Sequence, residues 1–178
     1  MKIYTRNGDD GTTGLLYGGR VAKNSAAPTA YGAVDEVQAF LGLARAETSN
    51  HELADLLVHL ERDLWIVMGE LAADPASRHK LQAGSTLVTP EMVTHLEQLI
   101  GTTSEKFDPP TEFVVPGQNR ISAILDVART VTRRAERDAL TAATPDSATV
   151  PYLNRLSDLL WTLARWQEGE SLPTRSVK

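Results

Sequence analysis

The sequence predicts an all-α protein, a bundle of five helices preceded by an ordered, glycine-rich arm. Three observations predict it. Apolar residues recur at three- and four-residue steps in separate segments, the spacing that lines one face of a helix. Strand-like alternation does not recur often enough to build a sheet. Five of the twelve glycines (Gly8, Gly11, Gly14, Gly18 and Gly19) precede Lys23, in a stretch without helical periodicity. The expected layout is an arm over 1–23, a bundle over 24–168 and a polar, frayed tail over 169–178, all in one domain.

The elements follow in order. A helical hairpin is expected from about Thr29 to Leu71. Ala30, Val34, Val37, Leu41 and Ala44 form the first apolar stripe, and Leu53, Leu57, Leu60, Leu64 and Leu71 the second. Ser49 and Glu52 have capping-box spacing at the start of the second helix. Asp74-Pro75 ends it, and a polar loop runs to about Val88. Thr89 as cap and Pro90 in the first turn open a third helix, with Met92, Leu96, Leu99 and Ile100 on its apolar face and Gly101 as its stop. Phe113 to Gly117 reads as a short extended piece ended by a turn. The fourth helix is expected over Asn119–Thr141 and the fifth over Pro151–Gln167.

Composition narrows the function. At 178 residues, the chain is long enough to bury about 70% of its unfolded surface, so a real core is expected. A net charge of −5 argues against nucleic acid and anionic lipid as partners. There are no cysteines, which rules out disulfides, thiolate metal sites and thiol nucleophiles. Neither a signal peptide nor a membrane span is expected, and the cytoplasm is the expected compartment. His51, His59, His79 and His95 lack metal-ligand spacing, so no protein metal site is predicted.

Three segments have residues suited to chemistry. On the fourth helix, Arg129, Arg133 and Arg137 follow at four-residue steps and share one row, flanked by Arg134 and Glu136. Two readings stay open: a solvated face paired to Asp126, Glu136 and Asp138, or a cradle for a polyphosphate or a partner carboxylate. The arm offers backbone N–H groups and threonine hydroxyls, with Arg20 and Lys23 as cations, and is either a plain loop or a phosphate site. It is no Walker motif, since no Gly-Lys-Ser/Thr follows. On the fifth helix, Leu153, Leu156, Leu160 and Leu163 face the core, while Asn154, Asp158, Trp161 and Arg165 form a second stripe. Asn154 suits a base or ribose, or is a surface residue near a helix start. Asp35 is either an exposed acid or a buried partner for a fourth-helix arginine.

Taken together, the arm, Tyr31 to Glu36, Phe113 to Gly117, Ala128 to Arg137 and Tyr152 to Asp158 resemble, in that order, the PduO-type cobalamin adenosyltransferases. The resemblance implies a ferritin-like five-helix bundle assembled as a homotrimer, with active sites between subunits. It implies transfer of the 5′-deoxyadenosyl group of ATP to the cobalt of cob(I)alamin or a related corrinoid, with Mg²⁺ and with triphosphate leaving. Carried over by position, the ATP-contacting group is Thr5, Arg6, Asn7, Gly8, Thr13, Gly14, Lys23, Arg133, Arg134, Glu136, Arg137 and Asn154. Asp35 matches an acid that pairs with Arg129 across the subunit boundary. Phe113 matches the aromatic that helps displace the lower axial ligand of the corrinoid, and Arg133 joins these three as catalytic. A reductase supplying electrons and a cobalamin-dependent enzyme receiving product are the implied protein partners. The chain departs from the family at Gln118-Asn119-Arg120, where a glycine and small residues are usual, beside the expected corrinoid pocket. Asn7 also replaces a common threonine, and Trp161 a common phenylalanine. Two alternatives accompany this reading: an ATP-binding sensor or cofactor-delivery trimer without turnover, and a helical phosphohydrolase, which would need a carboxylate or histidine metal set.

Overall fold

The computed structural model describes residues 3–177; Met1, Lys2 and Lys178, which belong to the expected arm and tail, lie outside the described residues. Five long helices form the body: α1 (Ala26–Glu47), α2 (His51–Leu71), α3 (Pro90–Ser104), α4 (Arg120–Ala139) and α5 (Thr149–Glu168). α4 packs against both α1 and α5, α2 covers α1, and α3 covers α5. Every predicted stripe residue of α1 and α2 is buried, as are Leu125, Ala128, Val131 and Ala135 of α4 and the four leucines of α5. Each fully buried leucine contributes about 2 kcal/mol of apolar transfer free energy, so the bundle rests on this shared leucine- and alanine-rich core.

Helix ends differ from the sequence reading for local reasons. α1 begins at Ala26 and α5 at Thr149, with Pro28 and Pro151 in their first turns. The first N–H groups of a helix have no intrahelical acceptor, so proline there costs no hydrogen bond. Asn50, not Ser49, caps α2, its side chain accepting from the Leu53 N–H. Gly101 does not stop α3, which continues to Ser104; Thr102 and Ser104 hydroxyls donate back to the Gln98 and Ile100 carbonyls. A lone helical glycine costs about 1 kcal/mol, which the burial of Thr103 in the last turn helps to offset. α4 ends at Ala139, two residues before the expected Thr141.

The connections are better organised than predicted. In the arm, β1 (Thr12–Gly14) and β2 (Arg20–Ala22) form a short antiparallel hairpin, pairing Thr12 with Ala22 and Gly14 with Arg20. The hairpin docks on the end of α2: Leu16 donates to the Ala72 carbonyl and accepts from the Asp74 N–H. The loop after α2 contains a 3-10 turn over Pro75–Lys80, capped by Asp74. The tail is not frayed. Within it, β4 (Leu172–Pro173) pairs with β3 (Val114–Val115), and Thr174 donates its N–H to the Phe113 carbonyl at 2.8 Å.

Buried Glu70 joins four segments that no local pattern links. Only 2% exposed, it accepts from Arg78 at 3.0 Å, from the Val88 N–H at 2.7 Å and from Ser147 Oγ at 2.6 Å. This ties the end of α2 to the 3-10 turn, the approach to α3 and the α4–α5 loop. The hairpin and Glu70 therefore gather the arm, the end of α2 and the loop before α5 at one end of the bundle.

Candidate active site along α4

At that end the arm is shaped from within. The Thr12 N–H and hydroxyl both donate to Asp10 Oδ1, at 2.9 and 2.8 Å. These bonds hold the Asp10 carboxyl below its ordinary range, the backbone bond first and the hydroxyl second. Arg20 spans the loop, donating to Thr12 Oγ1 and, at 2.6 Å, to the Asn7 carbonyl. Arg20 is thus committed to holding the loop closed, while Lys23 supplies the open positive charge. Its N–H binds the Gly11 carbonyl, and its ammonium lies over Gly8, so close that a Cβ there would sit 2.9 Å from Nζ. That Cβ would also press on the Thr12 carbonyl at 3.2 Å, so a side chain here would displace the Lys23 ammonium and crowd the loop. Of the other predicted contacts, Arg6 stacks on Tyr4, Thr5 Oγ1 accepts from the Asn7 N–H, and Thr13 and Gly14 form β1.

The arginine row of α4 is unequal along its length. Arg129 is paired at 2.9 Å to Asp126, Arg134 to Glu36 of α1, and Arg137 donates to the Arg133 carbonyl. Among the described residues, the exposed Arg133 guanidinium has neither a carboxylate nor a hydrogen-bond partner. Glu136 does not pair with Arg133. It accepts from Asn154 Nδ2 of α5 at 3.0 Å, and Asn154 Oδ1 accepts from Arg155 at 2.7 Å. Both polar atoms of Asn154 are thus engaged, and it braces Glu136 instead of standing free. Asp35 is exposed on α1, so within the chain it is not a buried partner for α4; Glu36 beside it pairs with Arg134 instead.

Phe113 lies toward the other end of α4. It is 87% exposed and stands at the mouth of an open cavity of about 540 Å³. Val114, Pro116 and Trp161 supply apolar lining, and Asp126, Arg129 and Arg165 the polar floor. Arg165, expected on an outward stripe, is only 1% exposed. It donates to Asp126 Oδ2 at 2.5 Å and lies 2.8 Å from Glu168. A charge this deep persists only when paired; sequence spacing marked Arg165 as outward because it could not see Asp126 across the helix boundary. Along α4, Arg129 and Arg133 are one helical turn apart, about 6 Å of axial rise. The unpaired cation therefore sits beside the cavity floor.

The divergent turn has a clear task. Asn119 caps α4 in a reciprocal box with Ser122, and its side chain also donates to the Gln167 carbonyl at 2.7 Å. Arg120 reaches Glu47 at the end of α1, at 3.0 Å. Gln118, Asn119 and Arg120 are not among the residues that line the Phe113 cavity, and Asn119 and Arg120 fasten three helix ends together. The four histidines are exposed. Among the described residues, no group of three or more His, Cys, Asp or Glu is placed to hold a metal ion, and no helix is long and apolar enough to cross a membrane.

Comparison with known proteins bears on this arrangement. The family model described as cobalamin adenosyltransferase matches residues 3–167. A corrinoid adenosyltransferase of Citrobacter freundii is 41% identical over 171 residues, covering 94% of this chain and 95% of its own length. The corrinoid adenosyltransferase PduO of the same organism is 35% identical over 96% of this chain, which spans 51% of that relative's length. Among solved structures, a variant of a PduO-type ATP:corrinoid adenosyltransferase from Lactobacillus reuteri, complexed with cobalamin and ATP, superposes with a TM-score of 0.87. Its sequence identity is 27%, with 99% of this chain and 98% of that one covered.

Proposed function

We infer the chemistry of this chain from one premise: it belongs to the cobalamin adenosyltransferase family. It transfers the 5′-deoxyadenosyl group of ATP to the cobalt of cob(I)alamin or a related corrinoid, and triphosphate is released. Cobalt(I) supplies the electron pair that forms the bond to C5′, and the C5′–O bond breaks with its pair leaving on the triphosphate. Such a nucleophile needs no general base, so the protein's work is to align the two substrates, accept the leaving charge and keep water away.

The observation that supports these assignments best is the unpaired guanidinium of Arg133, one turn from the floor of the Phe113 cavity. Arg133 and Lys23 take the developing charge on the triphosphate, joined by backbone N–H groups around Gly8 and by Thr5, Arg6, Asn7, Thr13 and Gly14. Arg134, Glu136, Arg137 and Asn154 complete the nucleotide site, with Asn154 and Glu136 acting as a braced pair. With no protein ligand cluster among the described residues, Mg²⁺ is held chiefly by the phosphates themselves. Phe113 presses on the lower face of the corrinoid and disfavours its axial ligand, which eases reduction to cobalt(I).

The chain works as a homotrimer in this reading. Its arm docks on α2, Asp35 has no partner among the described residues, and Leu43 and Val127 leave apolar surface on α1 and α4. A neighbouring subunit brings Asp35 to Arg129 and an arm to the α4 row. A reductase supplies the electron, and a cobalamin-dependent enzyme takes the product. The cytoplasm is the compartment proposed for this chemistry.

One assay tests the whole. Protein, ATP, Mg²⁺ and chemically reduced cobalamin are mixed without oxygen, the visible spectrum is followed and the polyphosphate product identified. Adenosylcobalamin with triphosphate is expected. ATP binding without adenosylcobalamin would instead mark a sensor, and ADP with phosphate a phosphohydrolase.

A further inference from the structure

We propose that Asp126 is a positioning residue for the corrinoid, its two carboxylate oxygens fixing the two arginines, one from each helix, that line the Phe113 cavity beside it; this rests on the adenosyltransferase reading above. One oxygen accepts from Arg129 Nε at 2.9 Å, the other from Arg165 at 2.5 Å. The carboxylate is 5% exposed and bonds to two helices at once, its own α4 and the neighbouring α5. Arg165 is held from behind by Glu168, whose side chain is fully buried, and its guanidinium lies 5.8 Å from the Trp161 ring. Asp126, Arg129, Arg165 and Trp161 all line the cavity at which Phe113 stands.

Stability alone does not call for this arrangement, since buried ion pairs replaced by well-packed apolar residues are often neutral or stabilising. What the cluster provides is direction. Binding Arg129 through Nε leaves its four terminal N–H groups, enough for both an acceptor in the cavity and the Asp35 of a neighbouring subunit. It also removes net charge, because Asp126 and Glu168 offset Arg129 and Arg165. A neutral donor set between aromatic walls fits a flat macrocycle bearing peripheral amides better than it fits a polyphosphate. The polyphosphate is left to Arg133, whose charge is uncompensated among the described residues.

The test measures both substrates' KM and kcat anaerobically for the wild type, Asp126→Asn and Arg165→Lys, with cob(II)alamin titrations followed in the visible spectrum. A small displacement of an orienting group costs about tenfold to a hundredfold, so Asp126→Asn should raise the corrinoid KM by that factor. The ATP KM should stay within about twofold, and kcat at saturating corrinoid should change far less than the corrinoid KM. Arg165→Lys keeps the charge but not the planar fork, and should raise the corrinoid KM in the same selective way. That gives a second reading should Asp126→Asn not fold. An unchanged corrinoid KM in a folded variant, or equal rises for both substrates, overturns the positioning role. A wild type that forms no adenosylcobalamin overturns the adenosyltransferase reading itself.

Discussion

The arm and the Phe113 cavity handle charge in opposite ways. In the arm, the cations are exposed and the loop is held by its own hydrogen bonds, with Arg20 and Asp10 closing it and Lys23 left open. Beneath the cavity, Asp126, Arg129, Arg165 and Glu168 are ion-paired with one another, and all but Arg129 are shielded from water. Under the proposed function the difference follows from the ligands. A triphosphate carries enough charge to organise loose cations around itself, and a site for it loses little by waiting in water. A large neutral ring system has no such pull, so the wall that receives it has to be built beforehand.

Breaking each side in turn sharpens the contrast. The largest effect on folding is expected at the cavity: Arg165→Met leaves Glu168 and half of Asp126 uncompensated, and should cost about 3–5 kcal/mol, read from urea or thermal unfolding. At the open end the loss is catalytic. Arg133→Ala removes an exposed side chain without partners among the described residues, so its Tm should match the wild type while kcat falls by about 10²–10³. Wild-type turnover in a folded Arg133→Ala variant would refute its role. Gly8→Ala pushes on the Lys23 ammonium and the Thr12 carbonyl. It should raise the ATP KM several-fold, leave the corrinoid KM alone and shift stability by less than about 1 kcal/mol.

The smallest effect concerns a polar pair remote from both regions. Tyr152 donates to Asp63 at 3.1 Å, and burial holds the Asp63 carboxyl above its ordinary value of 3.8 despite that bond and the nearby His95, His59 and Arg62. The folded state therefore keeps this proton longer than the unfolded one. The contribution to stability is full below 3.8 and is lost as pH rises through the folded value. Asp63→Asn should flatten that decline in thermal unfolding compared across the acid range, without altering turnover.

Much of this was legible in the sequence, because it depends on short-range spacing. The five helices follow from their stripes, and the arginine row from four-residue steps. Long-range partners were not legible. Glu70 gave no local sign that Arg78, Val88 and Ser147 would converge on it. Arg165 reads as outward by periodicity and is buried only because Asp126 and Glu168 await it. The same holds for the tail, whose polar composition says nothing of Val114 and Val115 nearby. Gly101 misled in the reverse direction: a helix breaker by propensity, it was overridden by tertiary context.

The two central helices are joined at three levels. Asn119 meets the Gln167 carbonyl at one end, Asp126 meets Arg165 further in, and Glu136 meets Asn154 at the other. Like rungs between rails, these bonds forbid sliding by a turn, one of the common ways in which packed helices change state. The register between the α4 arginines and the α5 residues Trp161 and Arg165 is thereby locked before either substrate arrives. Whatever motion brings cobalt and C5′ together must come from the leading hairpin, the Phe113 strand or, in the proposed trimer, a swivel between subunits, while the central pair serves as a fixed ruler.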